Sequence, residues 1–140
     1  MTEDRDDLLS GIDAGFEHES TWEVGAFEPQ TIADGVAVSS TPELIGCMEG
    51  TVRDGVTPLL PDGHRIVGVR IECDHRAPTP AGEEVTVAIE VEETDATDDR
   101  LVSTATVADE RGTVATGRMH HAVVDRTSFA DRVERRFDRG

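Results

Sequence analysis

The chain has 140 residues and a formal net charge of -17, from 30 acidic and 13 basic residues; 36% are hydrophobic and 4% aromatic. That suits one domain with a modest core. It argues against nucleic acid as a partner, which demands a basic stripe, and no apolar run approaches the ~20 residues that cross a membrane.

The start, "MTEDRDDLLS", is acidic, without the basic residues and apolar stretch of a secretory signal. A soluble, cytoplasmic protein is therefore expected, with residues 1–14 as a flexible acidic segment and residues 15–140 as a single domain. From Phe16 the pattern alternates. Phe16, His18, Ser20, Trp22 and Val24 fall on one side and Glu17, Glu19, Thr21 and Glu23 on the other, as in a strand with one wet face. "EPQTIADGVAVS" follows and reads as a loop, with Pro29 and Gly35 as breakers, able to act as a lid.

A helix comes next. Ser40 or Thr41 can cap it, Pro42 stands where a missing N–H costs nothing, and Pro58 and Pro61 stop it beyond about Gly55. Between Gly63 and Cys73 the chain alternates again, with Val67, Val69, Ile71, Cys73 and His75 predicted on one face. "APTPAG" breaks that strand. Val85, Val87, Ile89 and Val91 then alternate with Thr86, Ala88, Glu90 and Glu92. "TDATDDR" and "DERG" read as turns around "LVSTATVA" and before "TVATGRMHHAVVD". Arg126 to Arg139 reads as a terminal helix with Phe129, Val133 and Phe137 four apart.

The order is strand, helix, four strands, short helix. Short connections among the late strands imply antiparallel pairing. This predicts an α+β protein with a hot-dog fold: an antiparallel sheet of about five strands wrapped around a central helix, with a short C-terminal helix. The open edge of such a sheet invites a second copy, so a homodimer or a dimer of dimers is expected.

All 13 basic residues are arginine and lysine is absent. An acidic surface of this kind suits molar salt, where the Debye length falls to about 3 Å and self-repulsion is screened. We therefore expect a halophilic protein. Cys47 and Cys73 are the only cysteines. They are expected to be reduced and buried. Without CxxC or Cys/His spacing, no metal site is expected.

One position in the helix is out of keeping with simple packing. An α-helix turns about 100° per residue, so Val56, Ile45 and Val52 lie ~20°, ~40° and ~60° from Glu49. Glu49 is thus at the margin of the core face, flanked by Gly46 and Gly50, which suggests close approach by a backbone or a ligand. The plain reading is that it reaches solvent or pairs with Arg53 one turn on. A carboxylate held at a core margin is otherwise perturbed, and perturbed acids often do chemistry. His75 extends an apolar strand face and so points inward. Alone it is an ordinary strand-end residue; beside a buried acid it is a proton shuttle. Thr41, at the helix start, is read first as a cap, yet that is also where an oxyanion would be held.

The segments "STPELIGCME", "GVRIECDHRAPTPAGEEVTV" and "DERGTVATGRMHHAVVD" resemble the fluoroacetyl-CoA thioesterase-like family of hot-dog thioesterases, over roughly Gly15 to Phe129. The resemblance implies a catalytic Thr41, Glu49 and His75, at the family's spacings, and Gly68 lining the acyl pocket. It implies hydrolysis of a short or small acyl-CoA. Glu49 would be general base or nucleophile, His75 would protonate the leaving thiolate, and Thr41 would help hold the carbonyl oxygen. No cofactor is implied beyond the CoA of the substrate. Arg70, Arg76 and Arg118 are candidates for the CoA phosphates, with surface ion pairing as their plainer role.

Two departures stand out. The family's late strand commonly carries an arginine where this chain has His121, which is kept as a substrate-side candidate. The lid segment "IADGVAVSS" lacks the phenylalanine of the fluoroacetyl-specific member, so fluoroacetate specificity is not implied. The alternative from another class is a non-catalytic acyl-CoA or small-acid binding module on the same fold.

Overall fold

The computed structural model describes residues 7–138. Among the described residues, seven strands and two α-helices run in the order β1 (Glu17–Glu23), β2 (Gln30–Ala33), β3 (Val36–Val38), α1 (Thr41–Val56), β4 (His64–His75), β5 (Glu84–Asp95), β6 (Arg100–Asp109), β7 (Gly112–Asp125) and α2 (Arg126–Phe137), with a 3-10 turn at Thr57–Leu59. Five strands form one antiparallel sheet in the order β1-β5-β6-β7-β4, curled around α1. This is the hot-dog arrangement.

The core follows from two periodicities. On α1, Leu44, Met48, Val52 and Val56 recur every four residues and are fully buried. On β5, Val85, Val87, Ile89 and Val91 alternate inward and are equally buried, while Glu84, Ala88 and Glu90 face out. Each such aliphatic side chain contributes about 1.5–3 kcal/mol on burial. Ser40 caps α1, its hydroxyl accepting from the Glu43 N–H at 3.3 Å. Thr41 is therefore the first helical residue rather than the cap.

Three features differ from the sequence-based expectations. First, residues 7–14 are docked: Leu9 and Ile12 are each 3% exposed and belong to the core. Residues 1–6 of the segment expected to be flexible lie outside the described residues. Second, the stretch read as a loop before α1 contains the small β2–β3 hairpin, turned at Gly35 with φ +75°. Third, β4 is not a simple alternating strand. Gly68 pairs with His121 and Arg70 with His120, leaving Val69 unpaired as a bulge. The extra residue resets the alternation. Ile66 and Gly68 face α1 before it and Ile71, Cys73 and His75 after it, while Val69 is 44% exposed at the sheet edge. Of the inward face expected from Val67 to His75, only Ile71, Cys73 and His75 remain; Val67 alternates with the inward Ile66 and Gly68 and so lies on the other face, and Val69 is the bulge.

The glycines of α1 are only partly as expected. At Gly50 a Cβ would lie 2.7 Å from the Trp22 ring, so the close neighbour is an indole. Nothing approaches Gly46. Trp22 donates from Nε1 to Thr51 Oγ1 at 3.0 Å, which fixes β1 to the helix. α2 is capped by Asp125, and its Val133 and Phe137 are exposed.

Candidate active site

α1 carries two of the residues of interest on one rod. Thr41 and Glu49 are eight residues apart, which at 1.5 Å per residue separates them by about 12 Å along the axis. Each has its own histidine. Thr41 Oγ1 lies 2.8 Å from Nδ1 of His75, at the end of β4. Glu49 Oε1 accepts a 2.7 Å hydrogen bond from Nε2 of His121, on β7. Thr41 can reach His75 because Ser40 takes the capping role. His75 reaches Thr41 because the bulge at Val69 turns the end of β4 inward.

The Thr41–His75 pair lines a shallow cleft of about 220 Å³ with Gln30, Val38, Ser39 and Arg76. The β2–β3 hairpin, anticipated as a lid, thus borders the cleft. His75 Nε2 is buried and has no partner among the described residues.

Glu49 is 20% exposed on its side chain and His121 is 1% exposed. The hydrogen bond from His121 is the main influence holding the Glu49 carboxyl below the ordinary glutamate range; it outweighs burial, which pushes the other way, and the charge of Arg53 helps. The second carboxylate oxygen, Oε2, lies against Gly68, where a Cβ would stand only 2.5 Å away. Gly68 is itself open to solvent on the edge strand. The result is an ionised carboxylate with one oxygen secured and the other at an accessible margin.

Within one chain, then, the structure brings Thr41 to His75, and Glu49 to Gly68 and His121. It does not join His75 to Glu49. Arg70 and Arg76 lie 3.7 Å from Glu72 and 3.8 Å from Asp74, all four well exposed. Arg118 pairs with Glu92 at 2.7 Å and Glu93 at 3.5 Å. Of the three arginines only Arg76 borders the cleft. Among the described residues, no three His, Cys, Asp or Glu side chains converge as metal ligands.

Sequence reading missed Glu43. Its carboxylate is buried in the first turn of α1, where it accepts from the Gly25 N–H at 2.9 and 3.0 Å and from the Ser39 hydroxyl at 2.8 Å. It ties the exit of β1 to the helix start, which favours negative charge. Its position three residues after a serine cap was the available signal. The role of His121 was missed in part. The alternation of Met119, His121 and Val123 points it inward, but its acid partner is 72 residues away in sequence.

Residues 18–127 match the family described as fluoroacetyl-CoA-specific thioesterase, FlK. Among solved structures, the chain is similar to a hot-dog-like protein from Thermanaerovibrio acidaminovorans, with 26% identity, a TM-score of 0.84, and coverage of 96% of this chain and 99% of that one. It is similar to the fluoroacetyl-CoA thioesterase FlK, with 23% identity, a TM-score of 0.80, and coverage of 90% and 98%. A single-residue mutant of FlK in complex with fluoroacetate and CoA is 24% identical, with a TM-score of 0.73 and coverage of 84% and 99%. No curated protein matches the chain significantly.

Proposed function

The chain belongs to the fluoroacetyl-CoA-specific thioesterase family and is a thioester hydrolase, and on that premise we propose that it cleaves a short acyl-CoA to CoA and the free acid, with Thr41, Glu49 and His75 as its catalytic set. The observation that carries this reading is the state of Glu49. Its carboxyl is held ionised at a core margin, with Oε2 over a glycine at the open edge of the sheet. A carboxylate so held can take a proton from water or attack a carbonyl itself. That the FlK mutant similar to this chain holds CoA and fluoroacetate supports the substrate class.

The about 12 Å between Thr41 and Glu49 along α1 is too far for both to act on one thioester from the same chain. The site reads as composite. Two copies joined along the β4 edges would set Glu49 of one against Thr41 and His75 of the other. A homodimer is then a requirement of the chemistry. In that site water attacks the thioester carbonyl carbon and Glu49 receives its proton. The helix start holds the developing oxyanion. As the C–S bond breaks, the proton that Glu49 took from water passes to His75, steadied by Thr41, and from it to the leaving thiolate, so that both groups return to their starting state. Arg76, beside the cleft, is the first candidate for the CoA phosphates, with Arg70 and Arg118 further out.

The acidic, lysine-free surface sets the assay conditions. We place the protein in a salt-rich cytoplasm; among the described residues, no helix is long and apolar enough to cross a membrane. The test is thiol release from a panel of acyl-CoA chain lengths in molar KCl. Glu49→Gln should cost at least ~100-fold in turnover. Mixed dimers of a Glu49→Gln chain with a His75→Ala chain contain one intact composite site and should recover up to about a quarter of wild-type activity. CoA binding without hydrolysis across the panel, or no recovery in the mixed dimers, would overturn the activity or the composite site respectively.

A further inference from the structure

We propose that His121 is a positioning residue: it clamps Oε1 of Glu49 so that Oε2, over Gly68, is the single working oxygen of the carboxylate. The inference rests on the reading of Glu49 as the reactive acid.

Three observations carry it. The Nε2–Oε1 contact is short, at 2.7 Å, and the imidazole is 1% exposed, so the ring is held by packing rather than by solvent. The strand register sets its direction: His121 pairs across with Gly68 on β4 and with Leu101 on β6, and the ring lies between α1 and the sheet. The glycine at 68 leaves the space that Oε2 occupies, where a Cβ would stand 2.5 Å from it. A carboxylate would otherwise spin about its terminal torsion, which is broad and roughly two-fold. Here one oxygen is tied and the other is aimed.

The tautomer follows from the partner. A carboxylate only accepts, so Nε2 carries the hydrogen. Nδ1 is buried and without a partner among the described residues. The ring's hydrogen bond among the described residues thus goes to Glu49. A guanidinium at this point, with its fork of donors, could hold both carboxylate oxygens. The imidazole can hold only one, and this leaves Oε2 available.

The charged and titratable groups near Glu49 are few. β7 supplies His121, and α1 supplies Arg53 one turn on. β4 presents Gly68 to the carboxylate, and β6 presents Leu101 opposite His121; neither residue titrates. On β1, His18 packs against Gly55, further along the helix.

The experiment compares His121→Gln, whose amide N–H stands close to where Nε2 was, with His121→Phe, which has no donor, and His121→Asn, whose shorter side chain leaves its amide short of Oε1. Phe and Asn should lower kcat by about 10- to 100-fold with KM little changed, as expected when a reacting group is misdirected. Their acid limb in the kcat profile should move to higher pH, and Gln should restore most of kcat and the wild-type limb. Asn serves where Phe fails to fold. Carbon NMR of the Glu49 carboxyl, titrated in each variant without substrate, gives a readout independent of activity. Equal profiles and equal Glu49 titrations across the four proteins would overturn the clamp. If instead Glu49→Gln retains turnover while the NMR titration still moves in Phe and Asn, the clamp stands and the catalytic reading of Glu49 fails.

Discussion

Glu49 and Gly68 are matched across the gap between α1 and β4: the carboxylate occupies the space that a side chain at position 68 would need, with Oε2 2.5 Å from where a Cβ would stand. Gly68→Ala should therefore disturb function more than fold. The atom it meets is the free end of a flexible side chain, which can swing aside at little cost. The expected outcome is a thermal midpoint close to wild type with kcat reduced at least about 10-fold, because the carboxylate is turned away from its aim. A folded alanine variant with wild-type kcat would separate Gly68 from the site.

The pH dependence has a definite sign. The hydrogen bond from His121 holds the Glu49 carboxyl low, so the base should stay ionised into mildly acidic solution and the acid limb of kcat/KM should fall below the ordinary glutamate range. The same shift is linked to stability. Ionised Glu49 favours the folded state above its unfolded-state value, and that contribution is lost as pH falls through the lower folded value. Urea titrations down the acidic range should lose this increment in wild type and show less of it in Glu49→Gln.

Glu43 should behave as a structural carboxylate. Glu43→Ala leaves the Gly25 N–H and the Ser39 hydroxyl without their acceptor, and hydrogen bonds to a charged group contribute about 1.5–3 kcal/mol. A loss of roughly 2–4 kcal/mol in urea unfolding is expected. Glu43→Gln, which keeps one acceptor oxygen, should lose less.

Gly50→Ala sets two effects against each other. Alanine is favoured over glycine in a helix by about 1 kcal/mol. Its methyl would stand 2.7 Å from the Trp22 ring, which is held by its bond to Thr51, and overpacking costs about 1–3 kcal/mol. The clash should win. The variant should be less stable than wild type, with a changed Trp22 fluorescence.

The thiols should be quiet in the native state. Burial, with the charge of Glu43 behind it, pushes Cys47 up to about 11, and burial likewise raises Cys73. A thiol reagent at neutral pH should react slowly with the folded protein and fully after denaturation. Fast reaction of Cys47 in native buffer would contradict its buried environment.

Much of this fold is legible in the residues because its strongest signals are local. The alternation of Val85 to Val91 and the Ser-Thr-Pro start of α1 each fix an element by themselves. What is not legible depends on pairing. Nothing near Val69 announces a bulge; it arises from the register of β4 against β7. Leu9 and Ile12 sit among acids, and only the finished core shows that they dock. The site divides in the same way. The place of Glu49 at a core margin can be read from a helical wheel, but its bond to His121 joins α1 to the strand that follows the whole of β4 to β6. Likewise Thr41 could not be freed from a capping role until Ser40 was seen to fill it.

The bulge in β4 has one more consequence, and it is a matter of odd and even. Gly68 and His75 are seven positions apart, and in an unbroken strand residues an odd number apart look in opposite directions. Here both look toward α1, one beneath the carboxylate and the other beside the threonine. A strand of the same length without the bulge would send one of the two outward, whereas removing Val69 together with the bulge would leave them six apart and both facing α1. The odd spacing between them therefore records the irregularity itself.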